Sequence, residues 1–131
     1  IIDKLVSERE QFSRRYTEVI VESAKAHMAW EYSDTELSIG KIAKEIGVTP
    51  NYLSRIFKDV TKESCIEFLT RLRLEEAKRL LAQSSMKSYE IAERTGYNNP
   101  NYFSALFKKY EGCTPKDFRE RMRNEKETDV H

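Results

Sequence analysis

The sequence predicts an all-α chain of two helix-turn-helix subdomains joined by a long linker helix, and three observations predict it. First, Ile42-Ala43-Lys44-Glu45-Ile46-Gly47 followed by Asn51-Tyr52-Leu53-Ser54-Arg55-Ile56-Phe57-Lys58 returns as Ile91-Ala92-Glu93-Arg94-Thr95-Gly96 followed by Asn101-Tyr102-Phe103-Ser104-Ala105-Leu106-Phe107-Lys108. The offset is 49 residues in the first block and 50 in the second, so the second copy carries one extra residue in its turn. Two copies are too few for a solenoid, which needs about three or more repeats to bury a continuous core. Second, apolar residues recur at helical spacing along most of the chain. Third, four Gly and three Pro in 131 residues, 34% of them charged, leave little material for turns between strands.

A long N-terminal helix is expected from about Ser7 to Tyr32, with Ile20, Ala24 and Met28 as the face that docks on the helices after it. Its second stripe, Phe12, Tyr16, Val19, Ser23, Ala26 and Trp30, alternates spacings of four and three and resembles a short coiled-coil seam. Ser38 caps a short helix from Ile39 to Ile46, and Gly47 ends it. Thr49-Pro50 opens the next, Thr as N-cap and Pro at the first helical position, where a missing N–H costs nothing. Leu53, Ile56, Phe57 and Val60 form its core face. Ser64 and Glu67 form a capping box for a helix from Cys65 to about Gln83, a rod of roughly 27 Å, with Ile66, Leu69, Leu72, Ala77, Leu80 and Leu81 inward. Ser88 is expected to cap a helix to Thr95, and Gly96 to end it. Pro100 starts a helix to about Tyr110, with Phe103, Leu106, Phe107 and Tyr110 inward. Gly112 stops that one, Thr114-Pro115 restarts the chain, and the last helix is expected to fade into a charged tail from Arg121. As domains, residues 1–19 read as a linker or signalling helix, 20–63 as the first helix-turn-helix subdomain, 64–83 as the connecting helix, 84–124 as the second subdomain and 125–131 as a frayed tail.

A net charge of +1 hides an asymmetry. Residues 1–38 hold five basic and eight acidic side chains, a balance of −3, while residues 39–123 hold seventeen against eleven, a balance of +6. The basic excess sits on the repeats, as expected where Lys and Arg neutralise phosphates. In the helix after Pro50, the outward face carries Asn51, Ser54, Arg55 and Lys58, with Thr49 and Tyr52 beside them. Arg forks onto guanine, Asn pairs with adenine, Ser adapts and Lys neutralises, so this is a candidate reading face for double-stranded DNA. The second copy presents Asn101, Ser104, Ala105 and Lys108, flanked by Asn98, Asn99 and Lys109. Ala105 stands where Arg55 stands in the first copy. It can touch a thymine methyl but cannot fork onto guanine, so this copy is expected to position more than to select. Tyr52 and Tyr102 flank the outward faces, where each can cover the turn or reach a phosphate.

Gly96-Tyr97, Asn101-Tyr102-Phe103-Ser104, Phe107-Lys108-Lys109-Tyr110, Gly112 and Thr114-Pro115 through Phe118-Arg119 resemble the closing signature of the AraC/XylS family of transcriptional regulators. The resemblance runs from about Ile20 to Arg123. It implies two helix-turn-helix subdomains joined by a rigid helix, Cys65 to Gln83, each placing one recognition helix in the major groove of an asymmetric promoter or operator site. RNA polymerase is a further partner that such a role implies. The long N-terminal helix ahead of this layout is similar to the output half of two-component response regulators with an AraC-type effector. Two positions depart from the pattern: Ala105, where second units often present a long polar side chain, and Lys62, where the helix usually ends on Gly. Lys62 either adopts a left-handed conformation, at about 1 kcal/mol, or the helix ends differently.

Other functions find little support. Cys65 and Cys113 have no CxxC spacing and are expected as reduced thiols in a cytoplasm. His27 is read as lacking a ligand partner at i+4 and His131 is terminal, so no metal, cofactor or catalytic base is expected, and no enzyme. No run approaches the roughly 20 apolar residues of a membrane span, and no signal peptide is visible. The first residue, Ile1, suggests a piece of a longer protein. The chain is expected to act as a monomer, or as a dimer through its N-terminal helix or a missing upstream domain. The competing reading is a helical protein–protein interaction module that works through the N-terminal helix.

Overall fold

The structure is a computed structural model, which describes the backbone of residues 2–130 and the side chains of residues 7–127. The described residues form helices and connecting turns, without strands. In order these are α1 (Ile2–Glu31), α2 (Ile39–Ile46), α3 (Pro50–Thr61), α4 (Cys65–Gln83), α5 (Ser88–Arg94), α6 (Pro100–Glu111) and α7 (Pro115–Val130). The chain divides into two compact units, one of residues 1–31 and 37–69, the other of residues 32–36 and 70–131.

In the first unit α1, α2 and α3 pack on one another. Ile20, Ala24 and Met28 of α1 are buried as their spacing predicts, and Val21 joins them. They close over Ile42 and Ala43 of α2 and Leu53, Ile56 and Phe57 of α3. The Phe57 ring meets Phe68 edge-on at 5.5 Å, an arrangement that adds about 0.5–1.5 kcal/mol beyond burial. Ser38 caps α2 by accepting from the Lys41 N–H at 3.2 Å, and Thr49 caps α3 by accepting from the Tyr52 N–H at 3.2 Å.

Lys62 resolves its own question. It ends α3 in the left-handed region, at φ 66° and ψ 13°, with its N–H on the Lys58 carbonyl. A side chain with a Cβ holds that conformation at about 1–2 kcal/mol. Thr61 supports the turn, its hydroxyl donating to the Phe57 and Glu63 carbonyls at 2.8 Å.

The second unit is built on an aromatic chain. Tyr97, Phe103, Phe107 and Phe118 succeed one another at centroid distances of 5.6, 6.0 and 5.7 Å. Around them lie Leu74, Ala77, Leu80 and Leu81 of α4 and Ile91 and Ala92 of α5, all buried. The segment Tyr32–Glu36 belongs here, although α1 and α2 flank it in sequence. Buried Arg73 holds it: Nε donates to the Tyr32 carbonyl at 2.8 Å and Nη2 to the Asp34 carbonyl at 2.9 Å. The guanidinium lies 5.2 Å from the Tyr97 ring centroid. Gly96, at φ 102°, leaves the room this arrangement needs.

Several expectations need correction. Ser88 does not cap α5. Lys87 takes the cap position, because that places Glu90 three residues on, where its carboxylate accepts the Lys87 N–H at 3.4 Å. Val60 and Tyr110, taken for core, are exposed, since the last turns of α3 and α6 run past the core they cover. Ile66 is 67% exposed on the rim of an apolar pocket of about 430 Å³ that Met28, Leu37, Ile42, Cys65 and Leu69 also line. Leu74, which the spacing argument missed, is buried. Beyond Arg121 the backbone remains helical to Val130. Arg119 donates to the Leu81 and Ser84 carbonyls at 3.0 and 3.2 Å, and Lys126 to the Ala82 carbonyl at 3.2 Å, so α7 closes the open end of α4. His131 lies outside the described residues.

Candidate nucleic-acid interface

Each unit presents one helix whose inward and outward faces differ sharply. On α3, Leu53, Ile56 and Phe57 are buried, while Asn51, Ser54, Arg55 and Lys58 are exposed. At about 100° per residue these two sets lie on opposite sides of the helix. Burial of one face therefore orients the other. Thr49 and Pro50 fix where the helix begins, so the position of Asn51 in the first turn is set by the cap.

Tyr52 is half-buried and the Arg55 guanidinium sits 5.4 Å from its ring centroid. A cation over an aromatic face is worth roughly 0.5–1 kcal/mol at an exposed site. That contact restrains the Arg55 side chain against its own helix and gives Tyr52 a definite neighbour.

On α6 the inward residues Phe103 and Phe107 are fully buried, and Leu106 is packed against their cluster. Outward stand Asn101, Ala105 and Lys108, exposed, with Ser104 partly so. Lys109 is exposed beside them and lies 5.9 Å from the Tyr110 ring centroid. Asn98 is exposed in the preceding turn. Asn99 also shapes the helix itself, because its Oδ1 accepts from the Asn101 and Tyr102 N–H groups at 3.0 and 3.1 Å, which makes it the N-cap of α6. Only its amide N–H groups remain for a phosphate. Tyr102 is exposed, 6.1 Å from Tyr97 between centroids.

The two faces differ in charge-assisted donors. α3 offers the forked donor Arg55 together with Lys58, whereas α6 offers Lys108 and Lys109 and has no fork. Two basic side chains of α4 are engaged elsewhere. Lys78 pairs with Glu75 at 2.8 Å and Glu111 at 3.3 Å, which hold its ammonium pKa above the ordinary lysine value, the hydrogen bond to Glu75 first. Arg79 pairs with Glu76 and holds the Glu76 carboxyl below its ordinary range.

Sequence reasoning passed over two features. Arg73, which no sequence pattern singled out, is buried and holds the Tyr32 and Asp34 carbonyls. His27, taken to lack a partner at i+4, has Glu31 there at 4.0 Å, and Glu45 of α2 comes to 2.9 Å from its Nδ1. Cys65 is buried, and desolvation pushes its thiol up to about 11, which keeps it protonated and unreactive near neutral pH.

The fold and the repeat have relatives. The family described as a helix-turn-helix domain matches residues 42–121. The chain is 40% identical over 98 residues to the uncharacterized transcriptional regulatory protein YesN of Bacillus subtilis strain 168, covering 72% of this chain and 27% of that protein. It thus spans about a quarter of that relative's length. Among solved structures, the C-terminal domain of AraT, a response regulator from Geobacillus stearothermophilus, superposes with a TM-score of 0.77 at 37% identity, over 78% of this chain and 84% of that one. The DNA-binding domain of AdpA, solved in complex with a target DNA, shares the fold with a TM-score of 0.75 at 21% identity, over 80% of this chain and 94% of that one. With a matching family over most of its length and the closing signature in place, this chain belongs to the AraC-type helix-turn-helix domain family of transcriptional regulators.

Proposed function

We propose that the chain binds double-stranded DNA sequence-specifically as part of a transcription regulator, with α3 and α6 each entering a major groove of an asymmetric site. The observation that carries this reading is the recurrence in both units of one construction: a capped helix with an apolar inner face and an outer face of Asn, Ser and a cation. The target DNA in the AdpA complex supports it by likeness of fold. Two major-groove contacts by tandem units fall about one helical turn apart, ~34 Å along the duplex. The AraT relative supports a place for this chain as the output half of a response regulator.

The two faces divide the work. Arg55, Asn51 and Ser54 select bases on one half of the site, while Thr49, Tyr52 and Lys58 hold the backbone near them. In the other half Asn101 and Ser104 touch bases, Ala105 contacts a thymine methyl, and Asn98, Asn99, Lys108 and Lys109 grip phosphates. Arg55→Ala is expected to cost about 1–3 kcal/mol and to relax base preference in one half-site. Lys108→Ala should weaken all sequences alike and reduce the salt slope by about one, since a phosphate contact carries no base information. Selection from randomised duplexes, with affinities at ~50 and ~200 mM salt, separates the two. Unaltered base preference in the Arg55 variant would mean that the reading face is misplaced.

A second reading concerns α1, and one observation favours it. Phe12, Tyr16, Val19 and Trp30 are exposed, Trp30 at 89%, on the stripe with alternating four and three spacing. This stripe would pair two copies as a short coiled coil. Sedimentation at rising concentration should show dimers, and Val19→Glu should leave monomers that still bind a single site. A chain that stays monomeric at all concentrations would remove this role from α1.

A further inference from the structure

His27, Glu31 and Glu45 bring one imidazole and two carboxylates together on the surface of the first unit, and none of them belongs to a recognition helix. We propose that they form a site for a divalent transition-metal ion, Zn2+ in the first place, which fastens α1 to α2. The ligand atoms come from two packed elements: Nδ1 of His27 and a carboxylate oxygen of Glu31 on α1, and a carboxylate oxygen of Glu45 on α2. They all lie within 4.8 Å of one another, with 2.9 Å from Nδ1 to Glu45 Oε2 and 4.0 Å from Nδ1 to Glu31 Oε2. Tetrahedral Zn2+ with bonds of about 2.0–2.2 Å needs ligand atoms about 3.4 Å apart. Small rotations of the two Glu side chains therefore suffice, and no backbone need move.

The backbone beneath is already set. Ala24 and Met28 flank His27 on the buried side of α1, and Ile42 and Ala43 do the same for Glu45 on α2. Spacing of four residues on one helix puts His27 and Glu31 on one face, so two of the three ligands are ordered before any metal arrives. The set is selective by chemistry. A nitrogen ligand beside two carboxylates suits Zn2+ or Co2+ better than Ca2+ or Mg2+, which take oxygen alone. All three side chains keep a third to a half of their surface open, which admits the ion and leaves its fourth position to water. An ion there would add a cross-link between α1 and the first helix of the helix-turn-helix. The 2.9 Å contact between His27 Nδ1 and Glu45 Oε2 already joins the same two helices.

The experiment uses this chain with metal alone. Titration with Zn2+ should show one saturable equivalent and a rise in melting temperature, reversed by chelator. Both should disappear in His27→Ala and in Glu45→Gln, while Glu31→Gln should bind at least tenfold more weakly; circular dichroism without metal checks that each variant is folded. Co2+ should give the d–d bands of a nitrogen and oxygen set without thiolate charge transfer. Equal binding by the wild type and His27→Ala, the absence of a one-equivalent site, or thiolate bands that implicate Cys65 or Cys113 would each overturn the proposal. The operator-binding face is not involved, so DNA affinity of metal-free His27→Ala should match the wild type and tests the earlier reading separately.

Discussion

Phe107→Ala is expected to cost ~3–5 kcal/mol, and Phe57→Ala the same in the other unit, through lost burial and the cavity left behind. Both rings have no exposed surface. Phe107 lies between Phe103 and Phe118, with centroids 6.0 and 5.7 Å away, and Phe57 meets Phe68. A typical domain is stable by only about 5–15 kcal/mol, so either change removes a large share of it. Denaturant titration followed by far-ultraviolet circular dichroism gives the difference. Intact stability with abolished DNA binding would instead make these rings stacking platforms for bases.

Gly96→Ala should be nearly as damaging, for a different reason. A Cβ at this position would stand 2.4 Å from the Tyr32 carbonyl oxygen and 2.7 Å from Arg73 Nε. The nearer atom is main chain and cannot rotate away. A positive φ on a residue with a Cβ costs about 1–3 kcal/mol by itself. Displacing Arg73 adds the loss of charge-assisted hydrogen bonds to two carbonyls, each worth about 1.5–3 kcal/mol. The expected loss is ~3 kcal/mol or more, read from thermal melts. Arg73→Lys should reproduce part of it, because an ammonium cannot span the two acceptors as the fork does. Wild-type stability in Gly96→Ala would show that the Tyr32–Glu36 segment readily moves aside.

Much of this architecture is written locally, and that explains which parts the sequence disclosed. Caps such as Ser38 and Thr49-Pro50 are signals within four residues, and the i, i+3, i+4 pattern of Leu53, Ile56 and Phe57 names its own inner face. The outward sets on α3 and α6 are then obtained by subtraction. Features that depend on a distant partner stayed hidden. Arg73 looks like any surface arginine until the carbonyls of Tyr32 and Asp34, about forty positions away, are seen to occupy it. Ile66 and Val60 carry the right periodicity but lie where nothing described covers them. Ser88 misled because a good capping residue was one position too late for Glu90 to reach back. The helical tail was also unreadable, since Lys126 and Arg119 answer carbonyls of α4 that no local pattern couples to them.

The path of the backbone limits how freely the two halves can be traded. Residues 32–36 are threaded into the second unit before the first unit's α2 and α3 have been laid down, so the chain visits the units in the order first, second, first, second. Neither unit is a contiguous stretch. A cut between Leu69 and Thr70 would leave the Tyr32 and Asp34 carbonyls without their arginine, and Arg73 with its charge exposed to whatever replaces them. The duplication visible in the sequence therefore produced halves that are alike in construction but not interchangeable. Recombination that moves the second unit, with its recognition helix α6, to a new regulator preserves that unit only when residues 32–36, Arg73 and Gly96 travel together.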